Sequence, residues 1–379
     1  METAFWSLVA ILAFTYLGYG PLVALLSMFK RKITLPADVD WPAVTLVVAA
    51  YNEADWVEAK IRNCRELDYP ADKLTLYFVT DGSDDGTPEL LGRQAGVRVF
   101  HRPGRDGKTA AVNRVMPLVE TPVTVFTDMN ALLNPESLKL MVRHFADASV
   151  GCVAGEKRVA ARNAAGAGES LYWRYESQMK RWDSDFYSTV GAAGELFAIR
   201  TELFRAPEND SVLDDFLISM HVALQGYKIA YESGAYATEG PSENLGEEWK
   251  RKIRICAGGF QTLVRRPELL NFFRRPRLAF QFFWRRLARW LLAPVALAAL
   301  LPLNLALAAT EGRGYLWMFL LHAAFYAVAL WGRLSGKKKS LWVAPFYFLM
   351  MHYAALAGLF RHLFGAQPAA WAKARRSGP

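Results

Sequence analysis

The chain has 379 residues, of which 53% are hydrophobic and 21% charged, with a formal net charge of +9. That length holds one large domain or two ordinary ones. So apolar a composition argues against a purely soluble enzyme, and the positive charge points to anionic lipid, a phosphorylated substrate or nucleic acid.

The first element is a membrane span. Phe5–Phe29 carries no charge and is long enough to cross a bilayer. Its basic cluster, Lys30, Arg31 and Lys32, lies behind it, and only Glu2 stands in front, the reverse of a cleaved signal peptide. Basic residues on that side predict that the chain beyond the span stays in the cytoplasm. The scattered cysteines Cys64, Cys152 and Cys256 have no metal-ligand spacing and are expected to be reduced there.

From about residue 40 to 250, strand-like and helix-like segments alternate. Val44–Ala50 reads as a strand, Glu53–Leu67 as a helix and Leu74–Val79 as a strand followed by the turn-rich "DGSDDGT". Lys108–Leu118 reads as a helix and Val123–Thr127 as a strand, and Asn134-Pro135 starts the next helix. Asp214 and Asp215 open a helix with apolar Phe216, Leu217, Met220 and Leu224. This alternation predicts an α/β domain with a mostly parallel sheet. Ligands then bind beyond the carboxyl ends of the strands. Polar clusters stand at three such ends: Tyr51-Asn52-Glu53, Asp81-Gly82-Ser83 and Asp128-Met129-Asn130.

Residues 251–289 form a basic-aromatic stretch. Within it Arg265, Arg266, Arg274, Arg275, Arg277, Arg285 and Arg286 interleave with Phe272, Phe273, Phe280, Phe282, Phe283 and Trp284. At helical spacing this reads as interfacial helices lying on an anionic leaflet. Nucleic acid is the rival partner, and membrane spans on both sides favour the leaflet over it. Residues 290–364 hold three further apolar runs, Trp290–Ala309, Tyr315–Gly332 and Leu341–Phe364. Lys337, Lys338 and Lys339 place the loop between the last two in the cytoplasm, yet the tail, residues 365–379, is also basic through Lys373, Arg375 and Arg376. Three full crossings would put that tail outside, so either the last run does not cross fully or the charge rule fails.

Five motifs together carry a family resemblance. "VVAAYNEADWVEAKIRNCRELDYP" followed by "LYFVTDGSDDGT" resembles the opening of the family-two inverting glycosyltransferases with the GT-A fold. "GRDGKTAAVNRVM" is similar to their lysine segment, and "VFTDMN" stands where they carry DxD. "GAAGELFAIR" resembles their acceptor-side glycine motif, and "LDDFLISMHVALQGYKIAYE" their ED motif. The membrane-bound branch includes hyaluronan, chitin-oligosaccharide, cellulose and poly-N-acetylglucosamine synthases and some lipid glycosyltransferases.

The resemblance implies roles for single residues. Tyr51, Glu53 and Asp81 would hold the nucleoside of a donor, most simply a UDP-sugar. Alone, Asp81 reads as a turn former and Glu53 as an acid complementing a helix start. Lys108, at a helix start after Gly107, suits a phosphate or is a solvated cation. Asp128 with Asn130 would bind Mg²⁺ or Mn²⁺, because residues two apart in an extended segment share a side; alone, the triplet reads as a turn. Asp215, beside Asp214, would be the general base that deprotonates the acceptor hydroxyl; two acids at a helix N-terminus are otherwise ordinary. Gly194 and Glu195 would lie on the acceptor side. In "EWKRKIRICAGG", Arg251 stands for the glutamine of the family's QxxRW and Ile255 for its tryptophan, while Arg254 keeps its place and would meet the leaving diphosphate. In processive synthases that tryptophan stacks on the acceptor sugar, so its replacement by Ile255 weakens the expectation of processive growth. The resemblance thus implies an inner-membrane, multi-pass enzyme with a cytoplasmic catalytic domain. It would build an extracellular polysaccharide or oligosaccharide on a growing glycan acceptor, or, as the alternative, add a single sugar to a lipid acceptor, with an export partner or a second copy of the chain as an associate. A non-catalytic sensor of nucleotide sugars is the remaining alternative.

Overall fold

The computed structural model describes residues 1–30, 35–36, 40–159, 164–240, 242, 244–334 and 340–365. Arg31, Lys32, Lys337–Lys339 and the basic tail lie outside them. The chain opens with helices α1 (Glu2–Ala13) and α2 (Tyr19–Met28), joined without a break by a π-helical turn, Phe14–Gly18. Then come β1 (Val44–Ala50), α3 (Val57–Arg65), β2 (Leu74–Asp81), α4 (Thr87–Gly92), β3 (Val97–Arg102), α5 (Lys108–Val115), β4 (Val123–Asp128) and β5 (Leu132–Leu133). The series continues with α6 (Ser137–Val142), β6 (Val150–Val159), α7 (Ala164–Phe186), β7 (Phe197–Arg200), α8 (Asp214–Leu224) and β8 (Lys228–Glu239). It ends with α9 (Leu245–Arg265), α10 (Pro276–Phe282), α11 (Ala293–Thr310), α12 (Arg313–Leu334) and α13 (Ser340–Leu363).

Two compact units result. One comprises residues 27–160 and 176–240, and the other residues 1–26, 161–175 and 241–367. The first holds an eight-stranded sheet of order β3-β2-β1-β4-β7-β6-β8-β5. Pairs β1–β2, β1–β4, β2–β3 and β6–β8 are parallel, whereas β4–β7, β6–β7 and β5–β8 are antiparallel. The β-branched run of β1 suits a strand covered on both faces. On one face Leu46, Val48, Phe78, Val125, Leu138 and Met141 are buried together. Across the antiparallel β4–β7 pair, Phe126 and Phe197 stack with ring centroids 4.6 Å apart. Each such burial contributes on the order of 1.5–3 kcal/mol.

The second unit is helical. Phe5, Leu300 and Leu307 pack α1 on α11, and Leu297, Ala329 and Leu349 join α11, α12 and α13. Among the described residues three helices are long and apolar enough to cross a membrane: Glu2–Met28, Pro276–Thr310 and Arg313–Leu334. The second begins well before the Trp290 expected from sequence. It absorbs much of the supposed interfacial stretch, and Arg285 is buried rather than turned to a lipid surface. The run expected at Leu341–Phe364 is the helix α13, interrupted in composition by Pro345 and His352, and is not among the three.

Candidate active site

At the carboxyl ends of β1 and β2, two loops are tied together. Asn52 takes a left-handed conformation, φ 49°. Its side chain and the Asp84 main chain and carboxylate exchange hydrogen bonds at 2.8 and 3.0 Å. The N–H of Glu53 donates to Thr87 Oγ1 at 2.9 Å, and the N–H of Ala54 donates to Asp85 at 2.9 Å. Burial pushes the Asp85 carboxyl up, but the donors Thr87 and Ala54 outweigh it and hold it below its ordinary value. Glu53 is buried at this junction. Tyr51 offers a ring face, over which the Arg105 guanidinium sits 3.7 Å from the centroid.

Asp81 ends β2 and is buried. Its Oδ2 accepts the backbone N–H of Asp106 at 2.8 Å and of Gly107 at 2.6 Å, and Arg114 lies 3.4 Å from Oδ1. It is therefore not merely the capping residue of its own turn: Oδ2 is committed to the loop before α5, and Oδ1 has only Arg114 at 3.4 Å. It fixes the loop that launches α5.

Lys108, the first residue of α5, crosses to the end of β4. Its Nζ lies 2.7 Å from Asp128 Oδ1 and 3.4 Å from Asp214 Oδ2. Burial alone would lower the ammonium; Asp128, Asp214 and Asp215 together raise it well above its usual value. Asp214 and Asp215 occupy the first turn of α8, as the sequence indicates, where the N–H of Phe216 donates to Asp215 Oδ1 at 2.8 Å. Burial, then the neighbouring Asp214 carboxylate, raises Asp215 to about 7, with Lys108 opposing and Glu195 adding to the rise. Gly194 closes the cluster: a Cβ there would stand 3.1 Å from Lys108 Nζ and 3.2 Å from Asp215 Oδ2.

The segment after Asp128 is a turn and not an extended strand. Asp128 is the last residue of β4, and its carbonyl accepts the N–H of Ala131 at 3.2 Å. Alternation along a strand therefore does not explain why Asp128 and Asn130 fall near one another; the reversal does. Met129 is fully buried in the core, and Asn130 is buried with no side-chain hydrogen bond to another described residue. Among the described residues no group of three or more His, Cys, Asp or Glu is arranged so that it could hold a metal ion. One carboxylate that already holds a cation, plus one amide, nonetheless fits Mg²⁺ or Mn²⁺. Mg²⁺ in particular takes one or two carboxylates and completes its shell with substrate phosphates and water.

Two buried lysines brace this site. Lys60, on α3 and without exposed surface, donates to the carbonyl of Ala131 and to Thr127 Oγ1 at 3.3 Å, so it spans the Asp128–Asn130 turn from behind. Burial lowers its ammonium. Lys157, on β6, bridges the Glu195 and Glu239 carboxylates. Thr127 Oγ1 in turn donates to the carbonyl of Glu195 at 2.8 Å, tying the Gly194-Glu195 loop to β4. Sequence reasoning missed both. The only signal was a lysine on the apolar side of a helix or strand, where a charge demands a partner.

Arg251 and Arg254 belong to α9, in the helical unit. Arg251 is buried and forks onto Glu248 at 2.9 and 3.0 Å, with the Tyr347 hydroxyl donating to the same carboxylate at 2.7 Å. Burial pushes Glu248 up, but Arg251 and Lys252 dominate and hold it far below the carboxylate range. Arg251 thus serves a buried ion pair, and Arg254 is half-buried. The packing of α9 against α13 is close, since a Cβ on Gly358 would stand 2.6 Å from that of Cys256.

Known proteins resemble this chain in sequence and in fold. It is 26% identical over 237 residues to the poly-β-1,6-N-acetyl-D-glucosamine synthase of Staphylococcus aureus strain MSSA476, covering 59% of this chain and 56% of that protein. The β-monoglucosyldiacylglycerol synthase of Trichormus variabilis is also 26% identical over 237 residues, covering 58% and 49%. The chain spans about half the length of these curated relatives. A mannosyltransferase from Pyrobaculum calidifontis, solved with GDP-Man and Mn²⁺, superimposes with a TM-score of 0.75 at 23% identity, over 97% of this chain and 99% of that one. That neighbour places the sheet domain in the GT-A fold, as the five motifs indicate. Residues 42–258 of the present chain, more than half of its length, match the model of the glycosyltransferase-like family 2, and the chain belongs to that family.

Proposed function

We propose that this chain moves a sugar from a nucleoside-diphosphate donor to an acceptor hydroxyl, with inversion, at the cytoplasmic face of a bacterial-type inner membrane. One observation carries the reading: Lys108 stands between Asp128 and the Asp214-Asp215 pair at the carboxyl ends of the strands. Such a group can neutralise a diphosphate on one side and border a base on the other. Asp215 takes the proton of the acceptor hydroxyl. The freed oxygen bonds to the anomeric carbon as the bond from that carbon to the diphosphate oxygen breaks, and the diphosphate leaves with the electron pair. A single displacement of this kind inverts the carbon. A divalent ion held by Asp128, with Asn130 beside it, would stabilise the negative charge that gathers on the leaving group. Lys108 adds to that stabilisation, and Tyr51, Glu53 and the Asp81-clamped loop border the nucleoside.

The donor nucleotide is read as UDP from the motifs, with GDP as the alternative that the mannosyltransferase neighbour suggests. The acceptor reading is an extracellular polysaccharide or oligosaccharide, the class named for the staphylococcal relatives. A second reading, one sugar added to a lipid, is favoured by Ile255 in place of the stacking tryptophan and matches the name of the Trichormus variabilis relative. The three long apolar helices and the basic residue Lys30 behind the first support a cytoplasm-facing membrane enzyme. Mass spectrometry of products formed in membranes from labelled UDP- and GDP-sugars decides among these. No sugar transfer from any donor, with nucleotide bound, would leave the sensor alternative standing.

A further inference from the structure

We propose that Lys108 holds the place of a divalent cation on Asp128 until a nucleoside diphosphate draws it away, so that the free protein rejects the metal and the donor brings it in. This rests on the donor-binding reading given above. The ammonium contacts Asp128 Oδ1 at 2.7 Å, within the range of a charge-assisted hydrogen bond. A cation on that carboxylate would lie against a fixed positive charge, and like charges at such separations repel strongly in a partly buried site.

The surroundings give the free protein little with which to overcome that repulsion. Among the described residues no three His, Cys, Asp or Glu side chains are arranged to hold a metal ion, and the Asp214 carboxylate that faces the site is engaged by Lys108 itself. Asn130 offers a neutral dipole only. Lys108, by contrast, is doubly held, with Asp214 Oδ2 3.4 Å away on its other side. The lysine is also able to leave. Its four-carbon stem springs from the first residue of α5, its side chain is 24% exposed, and Gly194 puts no side chain beside Nζ. Its backbone stays fixed meanwhile, because Asp81 grips the N–H of Gly107. A diphosphate arriving at this helix start offers the ammonium a competing anion, and Asp128 is then open to the ion that the phosphates carry with them. Metal and donor therefore bind as a unit, and a bare metal ion does not occupy the site beforehand.

The test is a Mn²⁺ titration of the full-length protein in detergent, with free Mn²⁺ read by electron paramagnetic resonance and nucleotide binding read by calorimetry. It compares the protein alone, with UDP and with GDP. The unaltered protein should bind Mn²⁺ weakly alone and at least about tenfold more tightly with a nucleotide it accepts. Lys108→Met should bind Mn²⁺ at least about tenfold more tightly than the unaltered protein without nucleotide. Lys108→Arg, which keeps the charge, should not. Lys108→Met with Asp128→Asn should lose the gain. The idea is overturned if nucleotide binds but Lys108→Met shows no gain, if Lys108→Arg gains equally, or if the gain survives Asp128→Asn. If neither UDP nor GDP binds, the donor reading itself fails, and the nucleotide-free comparison of the three variants still shows whether lysine excludes the ion.

Discussion

Oδ2 of Asp81 accepts the N–H of Gly107 at 2.6 Å, one residue before Lys108. A carboxylate at the end of one strand thus sets where the cation of the site begins. Hydrogen bonds to a charged group contribute about 1.5–3 kcal/mol, so Asp81→Ala should loosen the loop and weaken donor binding roughly 10- to 100-fold. If Asp81 instead read the nucleobase, the loss would depend on which base is offered. Calorimetry with UDP, GDP and inorganic pyrophosphate separates the two, because a loop clamp also weakens pyrophosphate.

Asp215→Asn should lower turnover by roughly 10²-fold or more, with nucleotide affinity kept. Transfer by the unaltered protein should rise with pH and level off above about 7, where Asp215 loses its proton. An unchanged profile in Asp215→Asn would remove the base assignment, and loss of transfer in Asp214→Asn alone would move it to Asp214.

The same shift has a stability consequence. The folded protein holds Asp215 at about 7, above the ordinary 3.8, so it favours the protonated form. That contribution is fully present below the ordinary value and is lost as pH rises through about 7. Asp215→Asn, neutral at every pH, should therefore raise the melting temperature at pH 8 and change it little at pH 4. Thermal melts at both values check this.

Gly194→Ala places a methyl 3.1 Å from Lys108 Nζ and 3.2 Å from Asp215 Oδ2. Both are ends of side chains, so the fold should survive with a stability change within about 1 kcal/mol. Turnover should fall by an order of magnitude or more, given how steeply rate depends on placement at such a centre. A variant as active as the parent would show that nothing reacts in that gap.

Phe273 is 100% exposed and Phe272 44%, beside the exposed Arg274 and Arg277 and just ahead of the long apolar helix that starts at Pro276. Each arginine near an anionic leaflet contributes about 1 kcal/mol. Hydrogen exchange in nanodiscs should show residues 271–278 more protected with anionic than with zwitterionic lipid. Arg274, Arg275 and Arg277 changed together to Glu should erase the difference.

Much of this was legible in the sequence. Strands β1, β2 and β4 were, because each is rich in apolar and β-branched residues, and so was the start of α8, where two acids precede an apolar helix; β3, β5, β6, β7 and β8 escaped. The polar groups at the strand ends were legible as a set. Their individual roles were less so, because hydrogen bonding between distant loops has no periodicity: nothing near Asp81 indicates that its partner is the N–H of Gly107. Lys60 and Lys157 escaped for the same reason, their partners lying 71 and 38 positions away. The Asp128–Asn130 turn was legible from the triplet alone, whereas the shared side expected of the two residues was not, because period-two reasoning holds only while the chain stays extended. The reach of Pro276–Thr310 escaped because arginines read as a water-facing surface, whereas Arg285 is buried.

Asn52, at φ 49°, locks the β1 and β2 loops to each other through protein atoms alone. A non-glycine residue in that region is uncommon, and asparagine is among the few that tolerate it. The ordering of these loops is accordingly settled during folding, and an incoming nucleoside meets a rim whose conformational entropy has already been surrendered. Changes at Asn52 or Asp84 should therefore appear first in the entropy of nucleotide binding, leaving its enthalpy nearly alone.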